Sequence, residues 1–343
     1  MSEKSTVFSG FSSIGESKLR AVVTGTGSSL PSRILTNKEL AKMVDTSDEW
    51  ITSRTGIKER RIAGEGEYLS QYATDAARKA LEMSGVPAAE IDLIICATVT
   101  PDRQIPATSC TIQENLGAKR AAAFDLAAGC SGYIYALAVA ERFLVGGGYR
   151  NALVIGGEIL SKYIDWRDRT TCIIFADGAG ASVLSAREGT SGILATCLRT
   201  DGSMADFITL PAGGTMMPAS EKTVREGMHY IKMKGNETFK IAVRSIEEVS
   251  REVITASGLA ASDIDLYIPH QANRRIIEAV GTRLGLRPEQ IYMNIDRVGN
   301  TSSASIPIAL DEVVRSGKVH PGDTVLFAAF GAGLTWGAAL LRW

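Results

Sequence analysis

Beyond residue 70 the chain alternates two patterns: apolar residues at helical spacing, and short unbroken apolar runs. The first pattern predicts helices over 72–83, 107–116, 132–145, 237–256, 273–284 and 303–314. The second predicts strands over 93–97, 121–126, 152–155, 266–268, 324–329 and 336–341. Two more short apolar runs, 172–175 and 181–184, flank the small residues ADGAG of 176–180. Apolar strands alternating with amphipathic helices indicate parallel sheets covered by helices. In such folds ligands sit beyond the carboxyl ends of the strands, where loops enter helices.

The pattern also repeats. SGVPAAEIDL at 84–93 reads without a gap against SGLAASDIDL at 257–266, with six of ten positions identical and an offset of 173 residues. A predicted helix precedes and an apolar strand follows each copy. An offset of half the chain length indicates an internal duplication. The chain is therefore read as a layered α/β protein of two stacked halves, 21–190 and 191–343, behind an N-terminal extension of residues 1–20 without folded structure.

Composition narrows the function. The chain has 343 residues, of which 45% are hydrophobic, which excludes a disordered protein. Its 37 Lys and Arg against 38 Asp and Glu exclude a general nucleic-acid binder, which carries a basic excess. No apolar run approaches the roughly 20 residues of a membrane helix, and the first 18 residues lack the apolar centre of a secretory signal. A soluble, cytoplasmic protein is expected. The five cysteines (Cys96, Cys110, Cys130, Cys172, Cys197) form no CxxC pair, which argues against a disulfide framework or structural zinc. With only three histidines (His229, His270, His320) a multi-histidine metal centre is excluded too.

Three residues at predicted strand ends carry candidate chemistry. Cys130 lies in FDLAAGCSG (124–132), at a tight turn before a helix whose positive end favours thiolate over thiol. His270 follows a strand in YIPHQAN (267–273), and Asn300 precedes a helix in VGNTSSAS (298–305). Taken singly, each has an ordinary structural reading: a small buried cysteine, a structural histidine, a helix cap or turn. Jointly, at three loop-to-helix junctions of one duplicated protein, they make a thiol nucleophile with two polar partners. Gly25-Thr26-Gly27 resembles a fragment of a dinucleotide loop, but the third glycine is missing.

With these residues in view, the chain resembles the β-ketoacyl-acyl carrier protein synthase III family, initiating condensing enzymes of bacterial fatty-acid synthesis within the thiolase superfamily. The resemblance runs from about residue 21 to 343. It rests on DTSDEWITSRTGI (45–57), the Cys130 turn, FADGAGASVL (175–184), PHQAN (269–273), GNTSSAS (299–305) and GAGLTWG (331–337). It implies a duplicated five-layer αβαβα thiolase-like fold and a homodimer, with CoA thioesters as substrates and no cofactor or metal.

By the same resemblance Cys130 takes an acyl group from an acyl-CoA primer. Malonyl-acyl carrier protein then loses CO₂, and its carbanion attacks the thioester to give a 3-ketoacyl product. His270 and Asn300 donate hydrogen bonds to the developing enolate, and the backbone N–H groups of Cys130 and Ala332 form the oxyanion hole. Many relatives carry glycine where this chain has Ala332. CoA falls to Trp50, Arg54, Thr55, Arg169 and Asn273. Arg274, Arg275 and Arg283 form a basic helix face suited to an acidic carrier protein. Ile105, contributed across the dimer interface, and Phe330 flank the acyl pocket. Degradative thiolases use a second cysteine in the loop that here reads FGAGLT (330–335), and no cysteine follows Cys197. Two alternatives stay open: a related condensing enzyme of secondary metabolism, and a catalytically silent acyl-CoA-binding protein of this fold. Primer choice is not legible.

Overall fold

A computed structural model describes residues 19–343. The extension expected over 1–20 lies, through residue 18, outside the described residues; Leu19 and Arg20 already belong to a strand. Nine strands build two main sheets: β1 (Leu19–Ser29), β2 (Leu93–Ala97), β3 (Ala122–Leu126), β4 (Asn151–Ile159), β5 (Asp177–Glu188), β6 (Gly192–Thr200), β7 (Leu266–Pro269), β8 (Thr324–Gly331) and β9 (Thr335–Arg342). Seven helices cover them: α1 (Asp48–Thr55), α2 (Leu69–Ser84), α3 (Thr108–Leu116), α4 (Gly132–Val145), α5 (Gly235–Ala256), α6 (Arg274–Leu284) and α7 (Ser305–Arg315).

The first sheet runs β1-β5-β4-β2-β3 and the second β6-β9-β8-β7. Strand for strand these are the same order, and a single parallel bridge from Tyr267 to Ile291 stands where a fifth strand would follow β7. The internal repeat leads into β2 and β7, which occupy equivalent places in the two sheets. Between the sheets lie α4 and α7, whose Ile134, Leu137, Ile306 and Leu310 pack with residues of both, such as Val154 and Phe327. Outside the first sheet lies α2, and outside the second lie α5 and α6. The result is the αβαβα stack that the resemblance implies.

Three expectations need correction. The sheets are mixed, since β1–β5, β4–β5, β8–β9 and β9–β6 pair antiparallel. Three residues join β8 to β9, far too few for the crossover a parallel pair needs. Strands β1 and β6 escape the apolar pattern because each is an edge strand with a half-buried face. The run 172–175 is no strand: Arg169–Cys172 makes one helical turn, and Phe175 forms a single bridge to Asn300.

Gly25 and Gly27 lie inside β1, not in a phosphate loop. A Cβ on either would stand 2.2 Å from a backbone carbonyl of α2 (Ala80 and Ala76), so their smallness lets that helix lie directly on the strand. Gly27→Ala should therefore force α2 outward and lower stability by about 1–3 kcal/mol, measured by equilibrium denaturation. An unchanged midpoint would show that the helix is not seated on this strand.

Candidate active site

Cys130 sits where β3 gives way to α4. Residues Gly129–Ser131 form a short 3₁₀ turn, and Gly129 opens it at φ +52, a conformation that favours glycine. The turn is clamped to the β8–β9 hairpin. Ser131 Oγ and Thr335 Oγ1 are 2.7 Å apart, and the Thr335 hydroxyl also lies 2.9 Å from the carbonyl oxygens of Ala128 and Ala332. A Cβ on Gly331 would come within 2.4 Å of the Cys130 nitrogen, and one on Gly129 within 2.8 Å of the Ala332 nitrogen. The backbone amides of Cys130 and Ala332 are thereby brought side by side.

His270 directly follows β7, with its backbone N–H donating to the Ala328 carbonyl (2.8 Å). The next residue, Gln271, is a buried strut that sequence reading did not single out. Its Oε1 accepts from the N–H groups of Asn294 and Ile295 (3.0 and 3.2 Å), and its Nε2 donates to the Pro269 carbonyl (2.9 Å). It fixes the strand end against the segment leading to Asn300. There, the Asn300 Oδ1 accepts the Ser302 N–H (2.9 Å), which turns its NH₂ group the other way.

Cys130, His270 and Asn300 line one cavity of about 160 Å³, with a wall of Phe239, Ile276, Met233, Phe330 and other apolar side chains. Burial in this apolar cavity sets the electrostatics of the groups that line it. Burial pushes the Cys130 thiol up to about 11, although the Ser302 hydroxyl acts in the opposite direction. Burial thus opposes the helix N-terminus, which favours the thiolate by about 0.3–2 kcal/mol. Burial lowers His270 to about 3, so the imidazole is neutral, and its Nδ1 has no protein partner. A neutral imidazole still carries one N–H donor.

At the rim, the guanidinium groups of Arg54 and Arg169 lie 4.7 and 5.1 Å from the Trp50 ring centroid. Thr55 stands behind this platform: it is buried, and its hydroxyl donates to the Ile51 carbonyl. Asn273 joins platform to cavity, since it lines the cavity, caps α6 through Arg275 N–H (2.9 Å) and donates to the Arg54 carbonyl (3.0 Å). The three arginines of α6 are not equivalent. Arg275 lies over the ring of Phe239 (5.2 Å) at the cavity wall, and Arg274 packs its Cβ toward Gly56. Arg283 is paired with Glu247 (3.0 Å) at the far end of the helix. Ile105 does not reach the cavity of its own chain; it is 87% exposed.

Sequence reading also missed Glu158, a buried acid at the end of β4 whose carboxylate faces Ser302 and Ser303. The available signal was a charged residue ending an otherwise apolar run, VIGGEI, in a strand buried on both faces. Among the described residues no group of three or more His, Cys, Asp or Glu could hold a metal ion, and no helix is long and apolar enough to cross a membrane.

A thiol at a strand-to-helix turn, faced by an imidazole and a carboxamide from the other half of a duplicated five-layer fold, belongs to the thiolase-like condensing enzymes. Comparison with known proteins is more specific. Residues 124–202 match the family 3-oxoacyl-[acyl-carrier-protein] synthase III, and residues 254–343 match its C-terminal counterpart. The beta-ketoacyl-[acyl-carrier-protein] synthase III of Caldanaerobacter subterraneus subsp. tengcongensis is 53% identical, with 95% of this chain and 98% of that protein covered. The crystal structure of 3-oxoacyl-[acyl-carrier-protein] synthase III from Aquifex aeolicus VF5 superposes with a TM-score of 0.88 at 50% identity, covering 94% of this chain and 100% of that one. The priming β-ketosynthase of the R1128 polyketide pathway is also similar, at 36% identity and a TM-score of 0.88, covering 94% of this chain and 96% of that one. The chain belongs to the β-ketoacyl-acyl carrier protein synthase III family: it is an acyltransferase, an initiating condensing enzyme of fatty-acid synthesis.

The neutral buried imidazole has a consequence for stability. In the unfolded chain His270 takes up a proton below about pH 6.5, whereas in the folded protein it does so only near 3, so stability falls as pH drops through that window. Between about pH 7 and 5 the wild type should lose about 2 kcal/mol more than His270→Gln, read from denaturation midpoints. Parallel losses in the two proteins would contradict a neutral buried imidazole.

Proposed function

We propose that Cys130 is the acyl acceptor of the condensation and that His270 and Asn300 stabilise the enolate formed on the second substrate. The observation that carries this reading is the shared apolar cavity that Cys130, His270 and Asn300 line together from separate segments of the chain. The Cys130 sulfur attacks the thioester carbonyl of an acyl-CoA, and CoA leaves. The amides of Cys130 and Ala332 receive the oxyanion. Malonyl-acyl carrier protein then enters and loses CO₂. The resulting carbanion attacks the acyl-Cys130 thioester to give 3-ketoacyl-acyl carrier protein. Decarboxylation generates the carbanion without proton abstraction, so no base is required of His270, and a neutral imidazole N–H with the Asn300 NH₂ suffices as a donor pair.

For the primer, the Trp50 indole flanked by Arg54 and Arg169 offers a surface for adenine and phosphates, with Asn273 at the start of the tunnel to Cys130. Thr55 supports that platform from behind. Arg275, at the mouth, is the leading contact for an acidic carrier protein, with Arg274 beside it. Arg283, already paired, would have to exchange Glu247 for the carrier. An isoleucine as exposed as Ile105 fits a cytoplasmic homodimer in which it reaches the partner's acyl pocket opposite Phe330. The duplicated halves 21–190 and 191–343 would both contribute to one site.

Cys130→Ala should abolish acyl loading, and mass spectrometry of the wild type should place the acyl group on Cys130. His270→Ala and Asn300→Ala should each slow decarboxylation by about 10²–10³-fold while loading proceeds, since enolate charge arises only afterwards. Acyl on another cysteine, or a variant that decarboxylates normally but cannot load, would overturn these roles.

Arg275→Glu should raise the KM for malonyl-acyl carrier protein severalfold to about tenfold, an effect that shrinks as salt screens the contact, and should leave acyl-CoA loading nearly unchanged. A salt-independent loss of loading would assign this arginine to CoA or to structure instead.

A further inference from the structure

Arg60 is the largest fully buried side chain described, and every acceptor it reaches is neutral. Its Nη1 donates to the Leu35 carbonyl (3.1 Å) and to Asn37 Oδ1 (2.8 Å). Its Nη2 donates to the same Asn37 oxygen (2.8 Å) and to the Ile173 carbonyl (2.9 Å). Burial lowers the guanidinium to about 10, so it is still a cation at neutral pH. A buried charge without a charged partner is costly to keep, and packing alone would be served by an apolar side chain. What this cation joins is the rim platform, which has two arms.

One arm is α1, which carries Trp50 and Arg54. Asn37, buried beside Arg60, points its Nδ2 the other way and donates to Asp48 Oδ1 and to the Ile57 carbonyl (both 2.8 Å). Asp48 is the first residue of α1, and Ile57 stands two residues beyond its last. One carboxamide therefore grips both ends of the helix, and the Asp48 carboxylate meets the Arg60 cation through it. The other arm is the turn Arg169–Cys172, which runs directly into Ile173, the residue whose carbonyl Arg60 holds. Arg54 and Arg169 thus reach the Trp50 ring from separate segments, at 4.7 and 5.1 Å from its centroid. Across the surface the arms also touch where Arg169 Nη1 donates to the Asp45 carbonyl (3.0 Å), an exposed bond that water can replace. Water does not reach the Arg60 bonds.

We infer that Arg60 and Asn37 are positioning residues for CoA recognition: together they fix α1 against the Arg169 turn and so set Arg54 and Arg169 around the Trp50 indole. Neither side chain is open to a ligand, so both act through the platform above them. If the arms slip, the ring and the two guanidinium groups no longer meet adenine and phosphates together. An acyl-pantetheine carries the same thioester and the same arm but no nucleotide, and its loading does not draw on the platform. The inference rests on Trp50, Arg54 and Arg169 being the CoA platform.

The test is acyl loading of the full-length enzyme, read by mass spectrometry, from an acyl-CoA and from the matching acyl-pantetheine. The acyl group is whichever of acetyl, butyryl and hexanoyl loads the wild type fastest from CoA. The wild type should prefer the acyl-CoA, and Trp50→Ala should lose that preference. Arg60→Met should lower the second-order rate constant for acyl-CoA by about 10–100-fold, while acyl-pantetheine loads near the wild-type rate. Asn37→Asp gives the buried cation a charged partner of the same shape, so it decides the matter even where Arg60→Met does not fold. It turns both donations to α1 into repulsion, from the Asp48 carboxylate and the Ile57 carbonyl, and should lose the preference too. A role confined to satisfying Arg60 predicts the wild-type preference in Asn37→Asp. That result overturns the inference, and so does an equal fall for both thioesters in either variant. A preference that survives in Trp50→Ala overturns the platform reading itself.

Discussion

The backbone of Gly331 runs so close to Cys130 that any side chain there would collide with the Cys130 amide, at 2.4 Å for a bare Cβ. Cys130 belongs to the first half of the duplicated fold, and Gly331 to the second. Their contact sets two amide N–H groups beside the thiol. It holds only because α4 and α7 share one middle layer and begin at the same place, directly after Cys130 and directly after the Asn300 segment. His270 and Asn300 come from the second half, Cys130 and Glu158 from the first. Neither half contains a complete site.

The joined halves leave an apolar cavity, and burial there acts on each group in a different direction. It strengthens any hydrogen bond that His270 and Asn300 donate there, because little solvent competes with them. It holds the imidazole neutral. For the nucleophile it is adverse. Raising the thiol from 9.0 to about 11 disfavours the thiolate by about 3 kcal/mol, more than a helix N-terminus supplies.

Cys130, His270 and Asn300 were legible in the sequence because each sits next to a strong local signal: an apolar run, then small or turn-forming residues, then a helix. The middle and outer helices were legible for the same reason, and their ends fall within a few residues of the expected ones. Edge strands β1 and β6 were not, since a half-buried strand broken by glycine and threonine leaves no unbroken apolar run. The glycines of β1 illustrate the limit. A pattern that looks like part of a phosphate loop serves helix-on-strand packing, and only the position of α2 separates the two. Glu158, Gln271 and Ser302 were overlooked because their roles depend on neighbours more than 20 residues away, which spacing along the chain does not reveal. Ile105, exposed and outside the cavity of its own chain, has a position that its sequence neighbourhood does not reveal.

The central claim is that the thiol of one half and the hairpin amide of the other form a single acyl-transfer site. It is tested most directly by a crystal structure of the enzyme trapped after loading from an acyl-CoA. The account predicts an acyl group bonded to Cys130 Sγ, its carbonyl oxygen within hydrogen-bond distance of both the Cys130 and Ala332 N–H groups and its chain in the apolar cavity beside Phe330. An acyl group on another residue, or a carbonyl oxygen turned away from the Ala332 amide, would contradict it.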